Sequence, residues 1–144
     1  MSLEFLKNLA QEYAGRVAID DGTTAVTYAE LATAVNALAV ALQMKDPAPG
    51  SRVGLCAANS LEYLVSVLAI NAAGKVLLPM NCYGNTVELH EILNTSHPAT
   101  IIVDDLGDQL ILSESELKIH FSQLPGLVAT YRDHVPETQQ TPVQ

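Results

Sequence analysis

RVGLCAANSLEYLVSVLAINAAGKVLLPMNCYGNTVELHEILNTSHPATIIVD, residues 52–104, reads strand, helix, strand, helix, strand. Arg52–Ala57 is a short apolar run. Asn59 offers an N-cap with Glu62 three residues on, the spacing of a capping box. Leu61, Leu64, Val65, Val67, Leu68 and Ile70 leave little polar face, so the Leu61–Ala73 helix is expected to be the most buried. Gly74, free to take a positive φ, ends it. Lys75–Pro79 is a second apolar run. Asn85 and Glu88 repeat the capping box before a helix that runs to Ser96, and Thr100–Val103 is a third strand. Strands at this spacing pair in parallel through right-handed crossovers. The fold class is therefore α/β, a mainly parallel sheet with flanking helices, with Val53–Cys56, Val76–Pro79 and Ile101–Val103 in one sheet.

Working outward, Leu3, Leu6, Leu9, Ala10 and Tyr13 form one helical face that Gly15 ends. Val17–Asp20 and Ala25–Thr27 flank Asp21-Gly22, a hairpin signal. Thr27 and Glu30 form a capping box ahead of Leu31, Val35, Leu38 and Leu42 at helical spacing. Pro47, Pro49 and Gly50 make the loop into the central unit. Beyond Asp105, Gln109–Leu112 reads as a brief strand, and Ser113 with Glu116 as a further cap. Leu117–Leu124 then reads as a short helix and Leu127–Tyr131 as a last strand. Residues 1–132 are one subdomain. Residues 133–144, polar with Pro136 and Pro142, read as a linker.

At 144 residues the chain is long enough for one domain with a real core. It is 49% hydrophobic and only 16% charged, a balance that points to surface meant to be covered. The net charge of −9 argues against a nucleic-acid or anionic-membrane partner, since seven scattered Lys and Arg make no basic patch. The central hydrophobic helix is too short to span a bilayer and carries Glu62. Cys56 and Cys82 are far apart in sequence, and no secretory signal precedes them, which points to a reduced, cytoplasmic setting.

No stretch completes a catalytic constellation. Gly74-Lys75 looks like the end of a phosphate loop, but Ala69 stands where its first Gly should be. Val76 stands where a Ser or Thr would hold magnesium. A helix end followed by a strand is the better reading. No G-x-G-x-x-G follows any strand. His90-Glu91 opens like a zinc-protease motif, but Asn94 replaces the second His, so a solvated helix face is expected. Ser60 and Ser66 lack the nucleophile elbow, and His120 and His134 have no partner nearby in sequence.

Two stretches carry a resemblance. Val26-Thr27-Tyr28-Ala29-Glu30-Leu31 resembles the (L/V)-T-Y-x-E-L that opens the adenylate-forming (AMP-binding) enzymes. Ala73-Gly74-Lys75-Val76-Leu77-Leu78-Pro79-Met80-Asn81 is similar to their A-G-x-x-x-x-P-(L/I)-(N/D). Arg52–Leu55, Asn59-Ser60, Glu88-Leu89, Ile92-Leu93 and Ile101–Val103 continue it in register, over most of Phe5–Asp105.

The resemblance implies an incomplete N-terminal subdomain of the adenylate-forming fold. That family joins a carboxylic acid to ATP as an acyl-adenylate, then usually passes the acyl group to a thiol. Its phosphate loop ending in Pro-Lys, its nucleotide contacts and its catalytic lysine all lie later than Gln144, so no catalytic, cofactor-binding or metal residue is assigned here. Val76–Asn81 looks most like the acyl-CoA synthetases (acid–thiol ligases), which implies fatty acid metabolism and ATP, Mg and coenzyme A as cofactors of a parent enzyme. None of these is expected to bind this chain alone, and 133–144 is expected to lead toward the missing nucleotide-binding loop. The implied partner is the remainder of that enzyme, and the uncovered apolar surface implies self-association. Two alternatives are a catalytically dead interaction module of the same fold and a peptide-synthetase adenylation fragment. A third is an unrelated doubly wound binding domain, with its ligand at the strand ends near Ala57–Ser60 and Met80–Asn85.

Overall fold

A computed structural model describes residues 8, 11–13, 15–20, 22, 25–111 and 118–137. Most of the expected first helix and the Ser113–Glu116 cap lie outside them; Asn8, Gln11 and Glu12 are helical. The first strands are β1 (Val17–Asp20) and β2 (Ala25–Thr27), an antiparallel hairpin as the Asp-Gly signal predicts. Helix α1 (Tyr28–Lys45) follows. Its capping box is complete: Glu30 N donates to Thr27 Oγ1 and Thr27 N donates to Glu30 Oε1, both at 3.1 Å.

The central unit runs β3 (Arg52–Cys56), α2 (Leu61–Ala72), β4 (Val76–Met80), α3 (Thr86–Ser96) and β5 (Thr100–Val103). It continues through α4 (Asp105–Leu110), β6 (Lys118–His120), a 3₁₀ turn (Phe121–Gln123) and α5 (Leu124–Tyr131). The four strands β3 to β6 form one all-parallel sheet in the order β4-β3-β5-β6. The three strands read from the sequence are those that occupy its first three places.

Alternation along the strands splits the core. Val53, Leu55, Ile102 and Ile119 meet Leu31, Leu38 and Leu42 of α1, Val65 and Ile70 of α2, and Leu124 of α5. The opposite face gathers Cys56, Met80, Ile101 and Val103 with Leu89 of α3 and Ile111. Gly74, at φ 72°, lets the chain leave α2 and enter β4. The parallel pairing that the connections demand is present in register from Arg52↔Val76 to Cys56↔Met80.

Several local readings are corrected. Ser60, not Asn59, caps α2, its Oγ accepting from Tyr63 N at 3.1 Å. Both residues suit the role, and the helix starts one residue later than the box spacing implies. Seven residues of α1 are buried against four of α2, so α2 is not the most buried helix. Leu64 stays 38% exposed. Gln109 and Leu110 lie in α4 rather than a strand, because Asp104 caps a helix there. The Leu117–Leu124 helix is instead β6 and a 3₁₀ turn, drawn out by pairing with β5, and Leu127–Tyr131 is helical. The beginning of the polar end is held to α1. Pro136 is buried, Glu137 N donates to Gln43 Oε1, and Gln43 Nε2 donates to Glu137 O, both at 2.9 Å.

Candidate functional site

Parallel strands aim their carboxyl ends at one rim, and here the rim gathers Cys56–Ser60, Met80–Asn85, Asp104–Gly107 and His120–Gln123. In open α/β sheets a ligand crevice forms where neighbouring strands send their connections to opposite faces. In this order that place lies between β3 and β5.

The chain fills that crevice itself. Asp104 accepts from Ala58 N at 2.9 Å through Oδ2 and from Gly107 N at 2.8 Å through Oδ1. The carboxylate thereby staples the β3 exit to the first turn of α4. A Cβ on Gly107 would stand 1.8 Å from the Cys56 carbonyl oxygen, so α4 rests directly on the end of β3. The doubly wound ligand site at Ala57–Ser60 is therefore closed by the protein's own backbone. The thiol beneath is equally inert: burial, with the nearby Cys82 and Asp104, pushes Cys56 up to about 11. Both cysteines are free and buried.

Lys75, the residue that imitates a phosphate-loop lysine, is committed elsewhere. Its side chain is 1% exposed. The ammonium donates to Asp46 O at 2.5 Å, to Ala48 O and to Ser51 Oγ at 3.0 Å, and lies 3.6 Å from Asp46 Oδ2. These contacts use its three protons, so it cannot reach an external phosphate without leaving a buried charge unpaired. The Ser51 hydroxyl, the backbone N–H of Ala48 and the Lys75 charge hold Asp46 below the ordinary carboxylate value against its partial burial.

The remaining weighed residues have structural places. Ser66 Oγ donates to Glu62 O within α2. His90 lies half-buried and Glu91 exposed on α3, and no group of three metal-ligating side chains occurs among the described residues. His97 takes φ 45° as the C-cap of α3. His134 meets Tyr131 edge-on at 5.6 Å.

His120 does have partners, contrary to the expectation from sequence. Ser122 N–H donates to its Nδ1 at 3.0 Å, which makes Nδ1 the acceptor in the neutral ring. The proton then sits on Nε2, which donates to Asp105 Oδ1 at 2.8 Å. Ser122 Oγ lies 2.8 Å from Nδ1. The signal in the sequence is His120-Phe121-Ser122 after a strand. It is hidden because Asp105 arrives from the end of the neighbouring strand, and β6 itself reads as helix. Beside this trio lies an apolar groove of about 470 Å³ between α1, α2 and α5, with Leu38, Leu61, Val65, Phe121 and Leu127 in its walls and Ser122 in its lining.

The profile of the family described as AMP-binding enzyme matches residues 6–142. A substituted propanoyl:CoA ligase of Rhodococcus jostii is 31% identical over 98 residues, 68% of this chain and 19% of that protein. A linear gramicidin synthase polypeptide of Brevibacillus parabrevis is 43% identical over 72 residues, 50% of this chain and 1% of that protein. The N-terminal domain of FACL13 from Mycobacterium tuberculosis superposes with a TM-score of 0.81 at 21% identity, over 96% of this chain and 37% of that one. NpsA of Klebsiella oxytoca, in complex with 3-hydroxyanthranilyl-AMSN, gives 0.77 at 22% identity, over 96% and 28%. The chain spans 19% of the CoA ligase and 1% of the gramicidin synthase, a small part of either relative.

Proposed function

The chain belongs to the AMP-binding enzyme family, and from that premise we propose that it is the N-terminal scaffold segment of an ATP-dependent acyl-CoA synthetase. The longer enzyme joins a carboxylic acid to ATP, releases pyrophosphate and passes the acyl group from AMP to coenzyme A. ATP, Mg and coenzyme A are bound by that enzyme outside this segment, and it works in the cytoplasm, in fatty acid metabolism. Residues 1–132 form the scaffold subdomain and 133–144 lead on toward the nucleotide-binding loop. The segment supplies no residue to adenylation. Its partners are the remainder of the enzyme and, in isolation, a second copy of itself.

The observation that carries this reading is the family match across residues 6–142, borne by a sheet whose ligand crevice is closed by Asp104 and Gly107. The acid–thiol branch is supported by Val76–Asn81 and by the CoA ligase relative, 31% identical over 68% of the chain. The higher local identity to gramicidin synthase supports a second reading, a peptide-synthetase adenylation segment.

The deciding experiment supplies the complete enzyme with ATP, Mg, a panel of carboxylic and amino acids, and coenzyme A. Thioester formation from a carboxylic acid is expected. Exchange of pyrophosphate with amino acids alone, and no thioester, selects the second reading. The isolated chain is expected to give no acid-dependent pyrophosphate exchange, and exchange above background rejects the scaffold role.

A further inference from the structure

We propose that Ser122, His120 and Asp105 form a site that hydrolyses activated carboxylic esters with a short acyl or aryl group bound in the adjacent groove. The reaction is separate from adenylation and uses no nucleotide. Three facts meet here. Ser122 Oγ stands 2.8 Å from His120 Nδ1, the acceptor nitrogen, whose lone pair also takes the Ser122 N–H at 3.0 Å. Nε2 donates to Asp105 Oδ1 at 2.8 Å, which fixes that tautomer. Ser122 also lines the apolar groove of about 470 Å³ that could seat the acyl group. Hydroxyl, imidazole and carboxylate are thus linked in the order that nucleophilic acyl transfer requires, with the two ring nitrogens exchanged relative to serine proteases.

In the first step Ser122 Oγ bonds to the ester carbonyl carbon and its proton passes to Nδ1, which releases the Ser122 N–H. Collapse breaks the carbon–alkoxide bond, and the alcohol leaves with that proton. Water then attacks the acyl-serine, giving its proton to Nδ1. The carboxylic acid departs and the proton returns to Oγ. Ser122 and His120 are the catalytic residues. Asp105 is a positioning residue, and with 90% of its side chain exposed it contributes weakly.

The test uses the full chain with p-nitrophenyl butyrate and no ATP, reading nitrophenol release and the mass of the acylated peptide. Acylation of Ser122 is expected. Ser122→Ala should abolish the adduct. His120→Asn keeps an oxygen for the cap but is no base, so it should slow acylation about 100-fold while leaving the circular dichroism unchanged. Asp105→Asn should slow it about threefold without moving the melting temperature, and Asp105→Glu should restore it. An unlabelled wild-type chain, an adduct that persists in Ser122→Ala, or a His120→Asn chain that acylates at the wild-type rate overturns the proposal. In the last case His120 is only a cap.

Discussion

Lys75 shows what a single residue can do in this fold. Its ammonium is enclosed by acceptors from the loop between α1 and β3, so one side chain fixes that loop to the start of β4. Lys75→Met should lower unfolding free energy by about 2–3 kcal/mol in urea titration, since it orphans buried acceptors and removes a charge partner. Asp46 carries the pH dependence of this cluster. Its folded value lies below the unfolded one, so its contribution is present above about pH 4 and is lost as pH falls through the folded value. Asp46→Asn should flatten that part of the acid limb of stability against pH. Cys56, raised to about 11, should resist thiol reagents at pH 8 until the chain unfolds. The sequence shows Gly74-Lys75 plainly but hides the task of the lysine. Its acceptors are carbonyls and a hydroxyl from an earlier loop, and backbone oxygens have no sequence signature.

Elements with long periods are legible in the sequence, and short ones are not. The helix α1 carries a capping box, an apolar stripe and a complete set of buried leucines, so local and tertiary preferences agree. β6 has three residues and one buried side chain, Ile119, and a period cannot be read from one position. Its pairing with β5 is what makes it a strand. α5 contains Leu127, Val128 and Tyr131, residues fit for a strand, but Pro125 at its start and packing on α1 make it a helix. The site trio depends on that same β6, so the trio is as hard to read as the strand. At this scale Gly107 of α4 is the sharpest test. Gly107→Ala would drive a methyl into the Cys56 carbonyl, and the helix must lift from the end of β3. A loss of about 1–3 kcal/mol is expected in denaturant melts, larger than that of a solvent-facing helix alanine.

The whole molecule leaves two sheet edges, β4 and β6, without a further strand among the described residues. β4 is partly blunted, since Pro79 has no N–H to offer a neighbour. Beside it Tyr83 is 77% exposed and Val87 69% exposed, and Val76 of the strand itself is also exposed. Association of isolated chains is expected through these side chains rather than through strand pairing. Covering about 200 Å² of apolar area would favour it by roughly 5 kcal/mol before entropic costs. Sedimentation over a wide concentration range should show self-association, and Tyr83→Ser with Val87→Ser should abolish it. A monomer at every concentration removes the argument. No helix here is long and apolar enough to cross a membrane among the described residues.

The order β4-β3-β5-β6 has a consequence for how the protein is made. β3 emerges from the ribosome first of the four and becomes an inner strand. β4 settles on one flank, β5 on the other, and β6 on the outside of β5. Each newcomer finds a finished edge waiting, and no strand must be inserted between two already joined. Nascent chains stalled after Tyr131 has cleared the exit tunnel should therefore already resist protease across β3, β4 and β5. A sheet built this way can be completed in the order in which its strands are made.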